Sequence, residues 1–413
     1  MKTPSDSTRR ALRTLVLIWL AWAVLVIGFQ ALVDWRLSLD RPDRATAWTP
    51  QETARNSQRD KPYLMEPFMN RQVSWDSEFY LAIAAGGYDD PQIRQVELKD
   101  GSTASMSYAF FPFYPAVMAG VSLPLRVLGL NPIATATLSG VLVSLVGALF
   151  GMIGLYYLVR EELGDEGGIR AAFYFLIFPT GFFLAQVYTE GLFAGLAFCS
   201  LALMRHKQFW LAGILAALAT WTRSTGLALI VPLALAWGQT VDWRGLWSGT
   251  FRRSLLNGLA VLLPLVAYAV WSAALGARFN EVQITWFGRG VFNWEGIQWG
   301  LDVAATAFRE GKNTQMMVYY VLEAAAVLLA LVAGLATLRR YPGVALFSLI
   351  ALALAVTSGA PQSLIRYVLT IPAVFILLAR LGRAAAVDKG WTTLSVLLLG
   401  MQTMLFSFDM WVA

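Results

Sequence analysis

Continuous apolar runs recur along almost the whole chain, separated by short polar or basic segments. They are unbroken rather than alternating, which predicts helices and excludes a transmembrane barrel. The pattern places membrane spans near residues 12–33, 132–158, 171–187, 190–204, 209–221, 226–238, 254–275, 317–338, 343–357, 364–380 and 391–410. The fold class expected is therefore an all-α polytopic membrane protein of about eleven helices, a single integral membrane domain over 1–413. Composition agrees: 57% of the 413 residues are hydrophobic and 14% charged, against about a quarter charged in soluble domains.

Sidedness follows from the short basic loops, which stay cytoplasmic. These are Arg9/Arg10/Arg13, Arg205/Lys207, Arg252/Arg253, Arg339/Arg340 and Arg380/Arg383/Lys389. Eleven spans then lead from an inner N-terminus to an outer C-terminus in a cell (plasma) membrane. The first run continues to Val33 without a small-residue cleavage site, so it is read as a retained span rather than a signal peptide. Segment 159–170 carries four acids against Arg160 and Arg170, and parity alone puts it inside. The apolar stretch 209–238 is about 45 Å long as one helix, too long for a ~30 Å hydrocarbon core with both flanks inside. It is expected to go up and back, breaking at Thr222-Arg223-Ser224-Thr225-Gly226.

Two segments are expected outside. The first, 34–131, is polar to residue 110 with twelve acids and nine bases, then aromatic; its stretch 112–128 is read as a helix lying in the interface. The second, 276–316, is rich in Trp, Arg and Asn. Net charge of +6 fits basic loops on one face and points to no nucleic acid. One cysteine, Cys199, and one histidine, His206, leave no disulfide and no zinc ligand set. His206 sits in a solvated loop. Neither a P-loop nor a GxGxxG motif after a strand is found, so a nucleotide has no cradle.

Polar groups that could do chemistry gather on the outer face: Trp75-Asp76-Ser77-Glu78, Tyr188-Thr189-Glu190, Arg223, Gln283, Trp286, Arg289 and Arg366. Asp76 opens a short helix and is either its cap or a general base. Glu190 begins a span and either complements the helix dipole or orients a hydroxyl or an arginine. Arg223 and Arg366 lie at or inside span ends, where a guanidinium is costly unless paired, and they suit a phosphate. Gln283 and Trp286 with Arg289 offer a ring and donors to a sugar, or an interfacial aromatic belt. Asp89-Asp90 is read as a solvated turn rather than a divalent-ion site, and a metal is not indicated.

Several of these residues form ordered motifs. Trp75-Asp76-Ser77-Glu78-Phe79-Tyr80 with Ile83-Ala84 and Gly87-Tyr88 resembles the WD signature of the PIG-V family, the GPI mannosyltransferase II proteins and their prokaryotic relatives. Ala109-Phe110-Phe111-Pro112-Phe113-Tyr114-Pro115, Tyr188-Thr189-Glu190-Gly191-Leu192-Phe193 and Thr222-Arg223-Ser224-Thr225-Gly226 are similar to its later elements. Gln283, Trp286 and Arg289, then Arg366-Tyr367-Val368-Leu369, match more loosely. The resemblance implies a GT-C-type glycosyltransferase. It would invert a sugar, mannose by family, from a polyprenyl-phosphate donor onto a glycan or glycolipid acceptor at the extracytoplasmic face. It carries the catalytic role onto Asp76. Substrate contacts go to Trp75, Glu78, Tyr188, Glu190, Arg223, Gln283, Trp286, Arg289, Arg366 and Tyr367. The rival reading is a flippase or transporter gripping a lipid-phosphate headgroup.

Overall fold

A computed structural model describes residues 6–54, 57–241 and 249–412, the side chains of 249–253 excepted. The Arg252/Arg253 pair thus lies outside the described side chains. Helices dominate, and the strands among the described residues are Gln95–Glu97 and Thr103–Ser105, antiparallel with Gln95 opposite Ser105. Among the described residues four helices are long and apolar enough to cross a membrane: Asp6–Arg36, Pro132–Ile177, Ser254–Thr285 and Thr314–Thr337. The expected runs 190–204, 343–357 and 391–410 match helices Glu190–Arg205, Pro342–Thr357 and Ala385–Ser407.

Elsewhere the sequence-based boundaries need correction. Residues 132–158 and 171–187 lie on two helices as expected, but these are joined by a tight turn at Gly164 rather than by a loop over 159–170, and the second ends before 187. The first helix starts at Pro132, capped by the Asn131 side chain at 2.8 Å from the Ala134 amide, and the second ends at Ile177. The turn is concentrated at Gly164, whose φ of 72° suits glycine. The helix stops at Phe178, extended at ψ 146° because Pro179 follows, and 178–189 is a buried irregular segment with a 3-10 turn at Gly181–Ala185. The run 364–380 is likewise split, by Pro372, into Leu364–Val368 and Pro372–Leu381. Nor is 276–316 a loop. Helix continues through a wide turn at Ser272–Gly276 into Ala277–Thr285, and Trp294–Glu310 is helical too.

The stretch 209–238 turns back as expected, as Phe209–Thr222, a 3-10 turn Ser224–Leu229 and Ile230–Gly238. Helix Phe113–Leu125 has 13 residues, about 20 Å and short of a ~30 Å core. Its Tyr114 points into the protein and donates to the Gly140 carbonyl at 3.1 Å.

Two features position the site. Helices Pro132–Ile177 and Glu190–Arg205 touch backbone to backbone. A Cβ on Gly191 would lie 2.2 Å from the Ser144 carbonyl oxygen, and one on Gly195 2.5 Å from that of Gly147. Small residues permit such an approach where lipid supplies no hydrophobic drive between helices. At the far end the basic loops converge on segment 159–170. Arg205 pairs with Glu161 at 2.6 Å, while Arg340 and Arg380 reach Glu162 at 2.6 and 2.9 Å. Three loops grouped by charge, and the segment grouped by parity, therefore share one face.

Candidate active site

The opposite end gathers Asp76, Tyr188, Thr189, Glu190, Arg223, Arg289, Arg366 and Tyr367. Its scaffold begins with three amides. Gln30 donates to the Arg71 carbonyl at 2.8 Å and accepts from Gln72 at 2.9 Å and Gln186 at 3.2 Å. The turn before Asp76 is then laced to the segment before Glu190. The Val187 amide reaches the Gln72 carbonyl at 3.1 Å, the Tyr188 hydroxyl donates to the Ser74 carbonyl at 2.8 Å, and Ser77 Oγ donates to the Val187 carbonyl at 3.2 Å.

Asp76 precedes helix Ser77–Gly86, yet its carboxylate makes no capping hydrogen bond. It turns instead to Arg366, whose Nη1 donates to Oδ2 at 2.9 Å. Glu190 is the hub: Oε1 accepts from Arg223 and lies 3.4 Å from Arg366 Nε. Arg223 also donates to Thr189 Oγ1 at 3.1 Å. This guanidinium can reach back because Arg223 is extended, at φ −154° and ψ 144°, where helix Phe209–Thr222 ends.

The Tyr367 ring binds the cations together. Guanidinium carbons of Arg223, Arg289 and Arg366 stand 4.8, 5.6 and 5.6 Å from its centroid. Arg289 is steered there by the Ser358 hydroxyl at 2.9 Å and the Gln362 carbonyl at 3.0 Å. The side chains of Glu190, Arg366 and Arg223 are 1, 9 and 13% exposed, whereas that of Asp76 is 24% exposed. Three guanidinium groups against two carboxylates leave one formal positive charge, and the reachable carboxylate is Asp76. Such a site attracts a singly charged anion and holds a proton acceptor beside it.

Four predicted contact residues go elsewhere. The Trp75 ring packs edge-on against Trp48 and Trp411, centroids 5.7 and 5.0 Å away; its backbone, at φ 53°, makes the turn that presents Asp76. Glu78 is buried, and the charges around it are Lys61, Arg94 and Glu52 rather than the arginine cluster. Burial holds its carboxyl above the usual glutamate range. Gln283 donates to the Ala109 carbonyl at 2.8 Å, and Trp286 stacks under Arg94 at 4.9 Å. Asp90 accepts from Tyr63 at 2.5 Å and Asp89 from Tyr108 at 2.9 Å, so both acids of that turn are engaged.

One residue the sequence reading passed over is Glu323, 2% exposed within helix Thr314–Thr337. Its Oε2 accepts from the Ile365 amide at 2.7 Å, fixing the start of the short helix that carries Arg366. A lone acid in an apolar span was the signal.

The chain can now be set beside known proteins. The model of the family described as Mannosyltransferase (PIG-V) matches residues 16–241, more than half of it. The GPI alpha-1,6-mannosyltransferase 2 of Cricetulus griseus is 31% identical over 252 residues, 59% of this chain and 44% of that protein. The human protein of the same name is 28% identical over 292 residues, 68% and 52% of the two chains. The chain thus spans about half the length of the curated relatives it matches. Among solved structures, ArnT from Cupriavidus metallidurans bound to undecaprenyl phosphate aligns over 95% of this chain and 76% of its own, with 16% identity and a TM-score of 0.47. The Archaeoglobus fulgidus oligosaccharyltransferase with zinc and sulfate aligns over 94% and 53%, with 14% identity and a TM-score of 0.46. The match over residues 16–241, which contain Asp76, Tyr188, Glu190 and Arg223, makes this chain a member of the PIG-V mannosyltransferase family.

Proposed function

We propose that the chain is an inverting α-mannosyltransferase that takes its sugar from a polyprenyl-phosphate carrier at the extracytoplasmic membrane surface. The observation that carries this reading is the partly exposed Asp76 carboxylate, 2.9 Å from Arg366 at the edge of a cluster with one surplus positive charge. A polyprenyl phosphosugar is a phosphodiester with one negative charge, which that surplus balances. An acceptor hydroxyl attacks the anomeric carbon of a β-mannosyl phosphate and its proton passes to Asp76. The bond from the anomeric carbon to the phosphate oxygen breaks, and Arg223, Arg289 and Arg366 stabilise the departing phosphate. Glu190 anchors two of these guanidinium groups. One-step inversion asks for one carboxylate base and no carboxylate nucleophile. The acceptor is a glycan or glycolipid, and no step requires a metal.

The test uses purified protein in lipid vesicles with radiolabelled polyprenyl-phosphate-mannose and a lipid and glycan extract of the source cells. Label in a new product, lost with Asp76→Asn, supports the transferase and identifies the acceptor. Label that crosses the bilayer unchanged overturns the reading in favour of a flippase.

A further inference from the structure

Helix Trp294–Glu310 presents three different faces. At 100° per residue, Gly296, Gly300, Val303 and Ala307 fall on one side. That side is packed: a Cβ on Gly300 would lie 2.1 Å from Pro361, and Ala307 joins a small core with Ala45, Met316, Tyr319 and Tyr320. Glu295, Gln298, Asp302, Thr306 and Arg309 occupy the second side. The third holds Trp294, Leu301 and Phe308, 55, 56 and 45% exposed. Val291 and Phe292 just before the helix extend that apolar surface, 80 and 68% exposed.

We propose that this helix lies along the membrane, with Trp294, Leu301 and Phe308 in the boundary between headgroups and acyl chains on the active-site side. Several observations favour lipid over a protein partner. The helix follows Ser254–Thr285 and precedes Thr314–Thr337, both long enough to span and both with mostly exposed apolar windows. A charged side beside an apolar side, the helix axis along the surface, is the pattern of interfacial helices. Its acids Glu295, Asp302 and Glu310 outnumber Arg309, so apolar insertion rather than attraction to anionic headgroups holds it. The seat matters to the site because the preceding segment is tied down. Gly290 and Asn293 amides donate to the Ser358 and Thr357 carbonyls at 2.8 and 3.0 Å, and Arg289 lies between them and the Tyr367 ring. The helix thereby sets Arg289 at headgroup depth, where a lipid-borne phosphate travels. The lipid seat itself does not depend on the reaction proposed above.

The experiment is nitroxide scanning in full-length protein carrying Cys199→Ser, reconstituted into phosphatidylcholine vesicles. Labels at 294, 301 and 308 are compared with labels at 298, 302 and 306. We expect collisions with oxygen to dominate over those with a water-soluble nickel chelate at the first three, and the ratio to invert at the second three. Adding phosphatidylglycerol should leave the ratios unchanged. Nickel access at 301 and 308 equal to that at 298 and 302 would overturn the proposal, and shielding from both reagents would replace lipid with a second copy of the chain. All six positions are exposed, and a thermal midpoint matching wild type verifies that each labelled protein is folded.

Discussion

Asp76→Asn separates proton removal from anion binding. The substitution keeps the side-chain shape and one carbonyl acceptor, so the hydrogen bond from Arg366 Nη1, 2.9 Å in the native site, can persist. What disappears is the carboxylate. At an effective dielectric of about 20, its attraction to Arg366 is at most ~6 kcal/mol, of which a charged hydrogen bond contributes a net ~1.5–3 kcal/mol. Losing that charge weakens the hold on Arg366 and raises the formal charge of the cluster from one to two, so donor affinity should stay level or tighten. Turnover should fall by about 10²- to 10⁴-fold, the usual contribution of a positioned base. Single-turnover transfer from labelled donor reads the rate, and displacement of bound label reads the affinity. Activity within about tenfold of wild type would remove Asp76 as the base. Attention would then pass to Glu190, whose buried Oε2 has no hydrogen-bond partner among the described residues.

Three further outcomes are expected. Arg223→Ala removes a guanidinium that holds Glu190 and faces Tyr367; donor affinity should weaken about 10- to 150-fold, the equivalent of ~1.5–3 kcal/mol, in the same displacement assay. Gly191→Val forces side-chain atoms into the Ser144 backbone, 2.2 Å from a Cβ, and should cost ~1–3 kcal/mol or more, read as a lower thermal midpoint together with lost activity as Glu190 shifts. Glu78→Gln bears on pH. Burial raises the folded-state pKa above the ordinary glutamate value of 4.5, so the native carboxylate is penalised once pH exceeds that value. The variant should melt higher than wild type at pH 7, and the difference should vanish as pH falls toward 4.5. An unchanged difference across that range would show that Glu78 acts through packing.

Sequence alone determined that this is a helical membrane protein, because long unbroken apolar runs have few other stable fates in lipid or water. It also settled two local matters. The stretch 209–238 was too long for one crossing and carried a polar break, and the structure turns there at Arg223. Basic loops share a side because charge resists crossing, and Arg205, Arg340 and Arg380 meet on Glu161 and Glu162. Sequence further brought Asp76, Glu190, Arg223 and Arg366 into one list of outer-face polar groups, of which Glu190, Arg223 and Arg366 are charges at or inside span ends. It could not say which charge meets which. Asp76 pairs with a residue 290 positions away, and that meeting depends on backbone contacts at Gly191 and Gly195 and on the lacing of 72–77 to 186–188. Hydrophobic periodicity records how deeply a residue is buried, not what it faces. For that reason Gln283 and Trp286, plausible sugar contacts by type, are bound instead to Ala109 and Arg94. The same reason hid the helix at 294–310, whose three faces acquire distinct meaning only once the protein covers one of them and leaves the apolar one bare.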